Sequence, residues 1–150
     1  MIKDVSFSKT SYNNLPYKFE AGTPNIGDVI GFKEAITYIK NIGINSIENY
    51  EISLKKYAED ALKKIDGITI IGTAKDKVGI FSFTTKKVHY YDLGLLLDAK
   101  GIALRTGHHC TQPLMDKYSL DGTARLSLAI YNTINEIDYF VESLSKLISK

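Results

Sequence analysis

Apolar residues recur along this chain with two different periods, and the changes between them mark out the expected elements. Val29, Phe32, Ile36 and Ile39 fall on one helical face, and Ile47, Tyr50, Leu54, Tyr57, Ala61 and Ile65 on another. Gly43 separates the two, and Asn45 followed by Glu48 reads as the capping signal of the second helix. Two β-like runs follow, Ile68 to Ile71 and Val78 to Phe83, joined by the polar, glycine-containing segment Gly72 to Lys77. Such a connection suits an antiparallel pair. Tyr90 to Lys100 reads as a short helix carrying Leu93, Leu96 and Leu97, stopped by Gly101. A third strand, Ile102 to Arg105, runs into the turn Thr106 to Cys110; Pro113 to Tyr118 reads as a helical turn and Ala124 to Ile130 as a fourth strand. The last helix, Glu136 to Ile148, has Ile137, Val141, Leu144 and Ile148 on one face and a capping box in Thr133 with Glu136.

The beginning differs. Val5-Ser6-Phe7 reads as one short strand, followed by a polar loop ending in Ala21-Gly22-Thr23-Pro24-Asn25. An extended lead-in of this kind resembles a connecting segment more than the opening of a packed domain. The remaining order, ααββαβ(turn)βα, contains no repeat and predicts an α/β (α+β) sandwich, a mostly antiparallel sheet with helices packed on one side. The glycine patterns of dinucleotide-binding and P-loop proteins are absent.

Composition narrows the function classes. In 150 residues, 44% are hydrophobic and 24% charged, which suits a globular domain with one good core. Nineteen basic and seventeen acidic residues are interspersed, giving a net charge of +2 and no basic run to bind nucleic acid. No apolar stretch reaches the roughly 20 residues of a membrane span, so a cytoplasmic protein is expected. The single cysteine, Cys110, excludes an internal disulfide and is either inert packing or a reactive thiol.

Chemistry concentrates at Arg105-Thr106-Gly107-His108-His109-Cys110, where a strand ends in a turn. A thiol attacks as the thiolate, which cationic neighbours such as Arg105 or a protonated His109 favour. Three rivals compete with that reading. One is a half-buried cysteine beside two surface histidines. Another is zinc, with His89 as an extra ligand, though consecutive side chains on extended backbone point apart and no metal-ligand spacing supports it. The third is a papain-like hydrolase, for which the chain is short. Arg125 is the second anomaly, a cation inside the apolar run Ala124 to Ile130. It meets a buried carboxylate, awaits an anionic ligand, or faces water from an edge strand.

Three motifs then carry a resemblance: Phe19-Glu20-Ala21-Gly22-Thr23-Pro24-Asn25; Arg105 to Cys110 with Pro113-Leu114-Met115; and Ala124 to Thr133. In order and spacing, over essentially the whole chain, they resemble the cysteine desulfurases of the SufS type. These are pyridoxal-phosphate (PLP) enzymes of the class V aminotransferase family. The resemblance implies that Cys110 takes sulfur from L-cysteine as a persulfide, releasing alanine, for iron-sulfur cluster assembly. It places Arg125 and Arg105 at the substrate carboxylate and Thr23 at the PLP phosphate of the neighbouring subunit of a homodimer. His108 and His109 are candidates for proton transfer, and no metal is implied. The short interval from Cys110 to Arg125 resembles the SufS-like group, whose members pass sulfur to an acceptor protein of the SufE or SufU kind.

Such enzymes are much longer and hold PLP on a lysine that a histidine commonly precedes, a site with no counterpart here. The expected organisation is therefore residues 1–25 as a connecting segment from a PLP-binding large domain and 26–150 as the C-terminal small domain. A piece of this kind is expected to be inactive alone, and to self-associate through apolar surface that the large domain would cover. Two other functions remain open: a non-catalytic docking module, and a selenocysteine lyase that works without the cysteine.

Overall fold

The computed structural model describes residues 1–149, which divide into two compact units, Met1–Ile44 and Asn45–Lys150. In the first unit, β1 (Ile2–Val5) and β2 (Thr10–Tyr12) form an antiparallel hairpin, with Val5 opposite Thr10. The single strand expected over Val5 to Phe7 is thus two strands flanking a turn. Ser6 closes that turn, its Oγ accepting from Lys9 N at 3.1 Å while Ser6 N donates to Lys9 O at 2.8 Å. These strands bury no side chain and their few apolar residues do not alternate, so no periodicity announced them.

Helix α1 (Ile26–Ile42) begins where the Asn25 side chain accepts from Asp28 N and ends at Gly43, whose φ of 90° is the reason a glycine stands there. No residue of α1 is buried, so Val29 and Phe32 lie exposed along the helix. Residues 1–25 belong with α1 to the first unit.

Helix α2 (Ile44–Leu62) starts immediately after Gly43. Asn45 therefore lies inside its first turn and is not the cap that the sequence suggested, because the helix already begins at the residue after Gly43. The helix stops three residues before Ile65, which still packs against the core. In the second unit, β3 (Ile68–Ile71), β4 (Ile80–Thr85), β5 (Arg105–Gly107) and β6 (Thr123–Ser127) form one antiparallel sheet in the order β3-β4-β6-β5. Helices α3 (Tyr90–Asp98), α4 (Gln112–Tyr118) and α5 (Ile134–Ile148) complete the unit.

Three strands are displaced from their expected positions. β4 starts at Ile80 instead of Val78, β5 covers Arg105 to Gly107 instead of 102–105, and β6 ends at Ser127 instead of Ile130. Strand limits are fixed by which residues find a partner, and Gly107 pairs with Thr123 while Ile80 pairs with Ser127. Local hydrophobicity does not encode that register.

Alternation then sorts the sheet residues. Phe81, Phe83, Ala124 and Leu126 point to one face, where they pack with Leu54, Ala58 and Leu62 of α2, Leu93 and Leu97 of α3, and Ile137, Phe140, Leu144 and Ile148 of α5. Full burial of each large apolar side chain contributes about 1.5–3 kcal/mol. Helices on one face of an antiparallel sheet is the architecture that the sequence implied. The α5 capping box is present, with Thr133 N donating to Glu136 Oε2 at 2.7 Å and Glu136 N donating to Thr133 Oγ1 at 3.3 Å. Among the described residues, no helix is long and apolar enough to cross a membrane.

Candidate active site

The sheet face turned away from α2, α3 and α5 carries the unusual side chains. Arg125 on β6 stands opposite Ser82 on β4 and opposite Arg105 on β5, so the two arginines are direct cross-strand neighbours. Like charges in that position are unfavourable unless something anionic compensates them. No salt bridge among the described residues involves either arginine, and Arg125 Nε is buried without a hydrogen-bond partner. β6 is also an inner strand of the sheet, so Arg125 is not the water-facing edge residue that the sequence left open. Among the described residues Arg125 therefore meets neither a protein carboxylate nor the water-facing edge of the sheet.

A cavity of about 310 Å³ lies over this face, lined among others by Ser82, His109, Leu114, Met115, Thr123 and Arg125. Helix α4 supplies its apolar side through Leu114 and the buried Met115. Gly107, with φ of 112°, turns the chain out of β5, and His109 and Cys110 follow with φ of 56° and 62°. Left-handed backbone costs a non-glycine residue about 1–3 kcal/mol, so two in succession must be held by their surroundings. Thr111 supplies part of that restraint, donating from N at 2.9 Å and from Oγ1 at 2.7 Å to His108 O. The other part is His109, whose Nε2 lies 2.8 Å from Thr123 Oγ1.

The turn leaves the Cys110 thiol exposed, with Arg105 Nη2 donating to Sγ at 3.5 Å. Strand β5 and the turn after it thereby bring a sulfur and a guanidinium together, as the sequence motif suggested. His109 sits on the covered side of the turn and His108 on the exposed side. Burial foremost, then the charges of Arg125 and Arg105, hold His109 below the ordinary histidine range; a bond to the Thr123 backbone opposes them, and His108 adds a smaller push downward. These influences together favour the neutral imidazole. His89 instead lies 3.5 Å from Asp121 Oδ2, where it caps α3 by accepting from Tyr91 N. Thr23 belongs to the exposed loop that enters α1 in the first unit.

Two residues escaped sequence reasoning. Thr123 is fully buried and anchors His109, and Ser82 faces Arg125 across the sheet. The signal for Thr123 was its spacing of two from Arg125, which puts both on one strand face. Gly122 before it is equally constrained, since a Cβ there would lie 2.5 Å from Tyr90 Cζ.

Fold and site together define a small α/β unit that carries an exposed thiol and two arginines paired across the sheet face turned away from α2, α3 and α5. The aminotransferase class-V family matches residues 1–140, and the chain belongs to that family. Among its relatives, a protein described as a probable cysteine desulfurase from Xylella fastidiosa (strain 9a5c) is 46% identical over 147 residues. That alignment covers 98% of this chain and 35% of the relative. The cysteine desulfurase of Klebsiella pneumoniae (strain MGH 78578) is 44% identical over 148 residues, covering 98% of this chain and 36% of its own length. The apo structure of cysteine desulfurase from Thermococcus onnurineus NA1 superposes with a TM-score of 0.90 at 35% identity, covering 99% of this chain and 37% of that one. The chain thus spans about a third of the length of the curated relatives it matches.

Proposed function

We propose that this chain is the C-terminal small-domain part of a PLP-dependent cysteine desulfurase of the SufS type. Residues 1–25 serve as the connecting segment from a large domain. The observation that carries the reading is the pairing of Arg105 with Arg125 across the sheet, both without a carboxylate partner, while Arg105 also reaches Cys110 Sγ. A substrate that brings a carboxylate and a sulfur a few bonds apart, as L-cysteine does, suits both halves of that arrangement.

The cavity lining contains no lysine, so these residues fit the substrate side of a PLP site and not its covalent attachment. PLP, when bound, supplies the electron sink that allows carbon–sulfur cleavage. Arg125, with Arg105 beside it, binds the substrate carboxylate. Cys110 attacks the substrate sulfur as thiolate, forming the sulfur–sulfur bond as the carbon–sulfur bond breaks with its electron pair to carbon. Protonation of that carbon yields alanine and leaves a persulfide on Cys110. The exposed turn then presents the terminal sulfur to an acceptor of the SufE or SufU kind for iron-sulfur cluster assembly. Thr23 is assigned to the PLP phosphate of the partner in a homodimer. The short interval from Cys110 to Arg125 supports the SufS-like assignment.

The test is to isolate the endogenous protein, record its intact mass and PLP absorbance, incubate it with L-cysteine and map the Cys110 peptide without reductant. The expected result is a heavier, yellow protein whose Cys110 peptide gains one sulfur atom, with sulfide release abolished in Cys110→Ala. A colourless protein of 16.8 kDa with no added sulfur would overturn the proposal in favour of a docking module. Activity on selenocysteine that survives Cys110→Ala while none remains on cysteine would redirect it to a selenocysteine lyase.

A further inference from the structure

Two bonds just beyond the strand ends fix the hydrogen-bond phase of the four-stranded sheet. Lys86 N donates to Gly67 O at 3.1 Å, one step past the pairing of Ile68 with Thr85. Leu128 N donates to Gly79 O at 2.9 Å, one step past the pairing of Ile80 with Ser127. Bonded and non-bonded pairs alternate along an antiparallel ladder. The first bond therefore makes Gly67, Thr69 and Ile71 the residues that bond to β4, through Lys86, Thr84 and Ser82. The second makes Gly79, Phe81 and Phe83 the residues of β4 that bond to β6, which leaves Ser82 and Thr84 for β3, so the two phases agree. What remains is Ile68 and Ile70, whose N–H and C=O groups point away from β4. β3 is a terminal strand of the sheet, and among the described residues no other backbone group bonds to those two residues.

Edge strands are ordinarily guarded by a lysine, a proline or a covering segment, and Ile68-Thr69-Ile70-Ile71 holds neither lysine nor proline. Its open groups are also self-complementary, because Ile68 and Ile70 stand symmetrically about Thr69. We propose that β3 is a docking edge for a second copy of this chain, whose β3 runs antiparallel about a twofold axis at Thr69. Ile68 then bonds to Ile70 of the second copy and Ile70 to its Ile68, each pair exchanging N–H and C=O groups, while the two Thr69 residues meet as the closer, non-bonded pair between them. Ile68 and Ile70 pack against the core cluster and carry apolar surface across the joint, whereas Thr69 is exposed. Such apolar and Thr–Thr pairs are favourable across strands, and a net charge of +2 sets little repulsion between copies. A foreign strand would satisfy this edge only by bringing a bare edge of its own; a copy brings one already in register. Ile71 and Gly72 line the cavity beside Arg125, so the joint sets both cavities on the same face of one continuous sheet. The inference does not rest on the proposed function.

Amide hydrogen exchange of this chain, followed by NMR at low and high protein concentration with sedimentation velocity on the same samples, tests the edge. The Thr69 and Ile71 amides, bonded to β4, should be protected at every concentration, while those of Ile68 and Ile70 should slow by about tenfold or more only as the dimer forms. Three results overturn the proposal: a chain that stays monomeric, a dimer whose Ile68 and Ile70 amides exchange as fast as the monomer's, as association through α1 would give, and a monomer in which both are already protected. Thr69→Lys and Thr69→Glu each set like charges opposite one another at the twofold axis on an exposed side chain, so each should lose the dimer while the amides of residues 69 and 71 stay protected. Mixed in equal amounts, the two variants should restore it, because the unlike pair attracts. Either variant dimerising alone as strongly as the parent overturns the proposal, and should a variant fail to fold, the exchange pattern of the unsubstituted chain decides by itself.

Discussion

Replacing Gly94 by alanine sets two effects of known sign against each other. Gly94 is an interior residue of α3, where alanine is ordinarily favoured over glycine by about 0.5–1 kcal/mol. Here a Cβ would lie 2.8 Å from Thr106 Cγ2 and 3.4 Å from Thr106 Oγ1. Thr106 sits on β5 opposite the fully buried Ala124, and its branched side chain has few rotamers to retreat into. Overpacking of this kind costs about 1–3 kcal/mol, so Gly94→Ala is expected to lower stability by up to about 2.5 kcal/mol. Thr106→Ser removes the clashing methyl, so in that background the same substitution should regain its helix benefit. Urea unfolding of the four proteins completes the cycle, and a coupling of at least about 1 kcal/mol in favour of the double variant is expected. Because β5 also carries Arg105, Gly94→Ala should change the rate at which iodoacetamide alkylates Cys110. Gly94→Ala more stable than the parent by about 1 kcal/mol, or a coupling near zero, would refute the claim that α3 and β5 are in contact this close.

Two further outcomes follow from the same geometry. Thr133→Ala removes the hydroxyl that accepts from Glu136 N at the start of α5, and should lower stability by about 1 kcal/mol in urea titration. The pH dependence follows from His109, which faces Arg125, Arg105 and His108 and whose folded-state pKa lies below its unfolded value. The unfolded chain then binds more protons at acid pH, so the contribution of this group is present above its unfolded pKa of about 6.5 and is lost as pH falls below it. The urea midpoint should drop between pH 7.5 and pH 5.5, more steeply in the parent than in His109→Gln, and equal slopes would count against the assignment.

The secondary structure of the second unit was legible because its apolar residues have buried partners. The face of α5 bearing Ile137, Leu144 and Ile148 is the face in the core. The hairpin of β1 and β2 was not legible, since neither strand buries anything. The failed cap at Asn45 has a different cause: a signal valid for an isolated segment was overridden next to Gly43, and α2 begins two residues earlier than that cap would allow. At the candidate site, Cys110, Arg105, Arg125 and the two histidines could be named from their residue types and from a family resemblance. Their division into exposed His108 and half-buried His109 could not.

The amino-acid order alone determined the kinds of element, the reactive residue types and the motifs that mark the family, because these depend on neighbours along the chain. Tertiary structure decided the rest. It moved β5 and β6 into the register that sets Arg105 against Arg125, placed Thr123 under His109, and left Arg125 Nε without a partner. Those facts depend on pairing between residues far apart in the sequence, as between Ser82 and Arg125, and hydrogen bonding across a sheet fixes such pairings only when the strands meet.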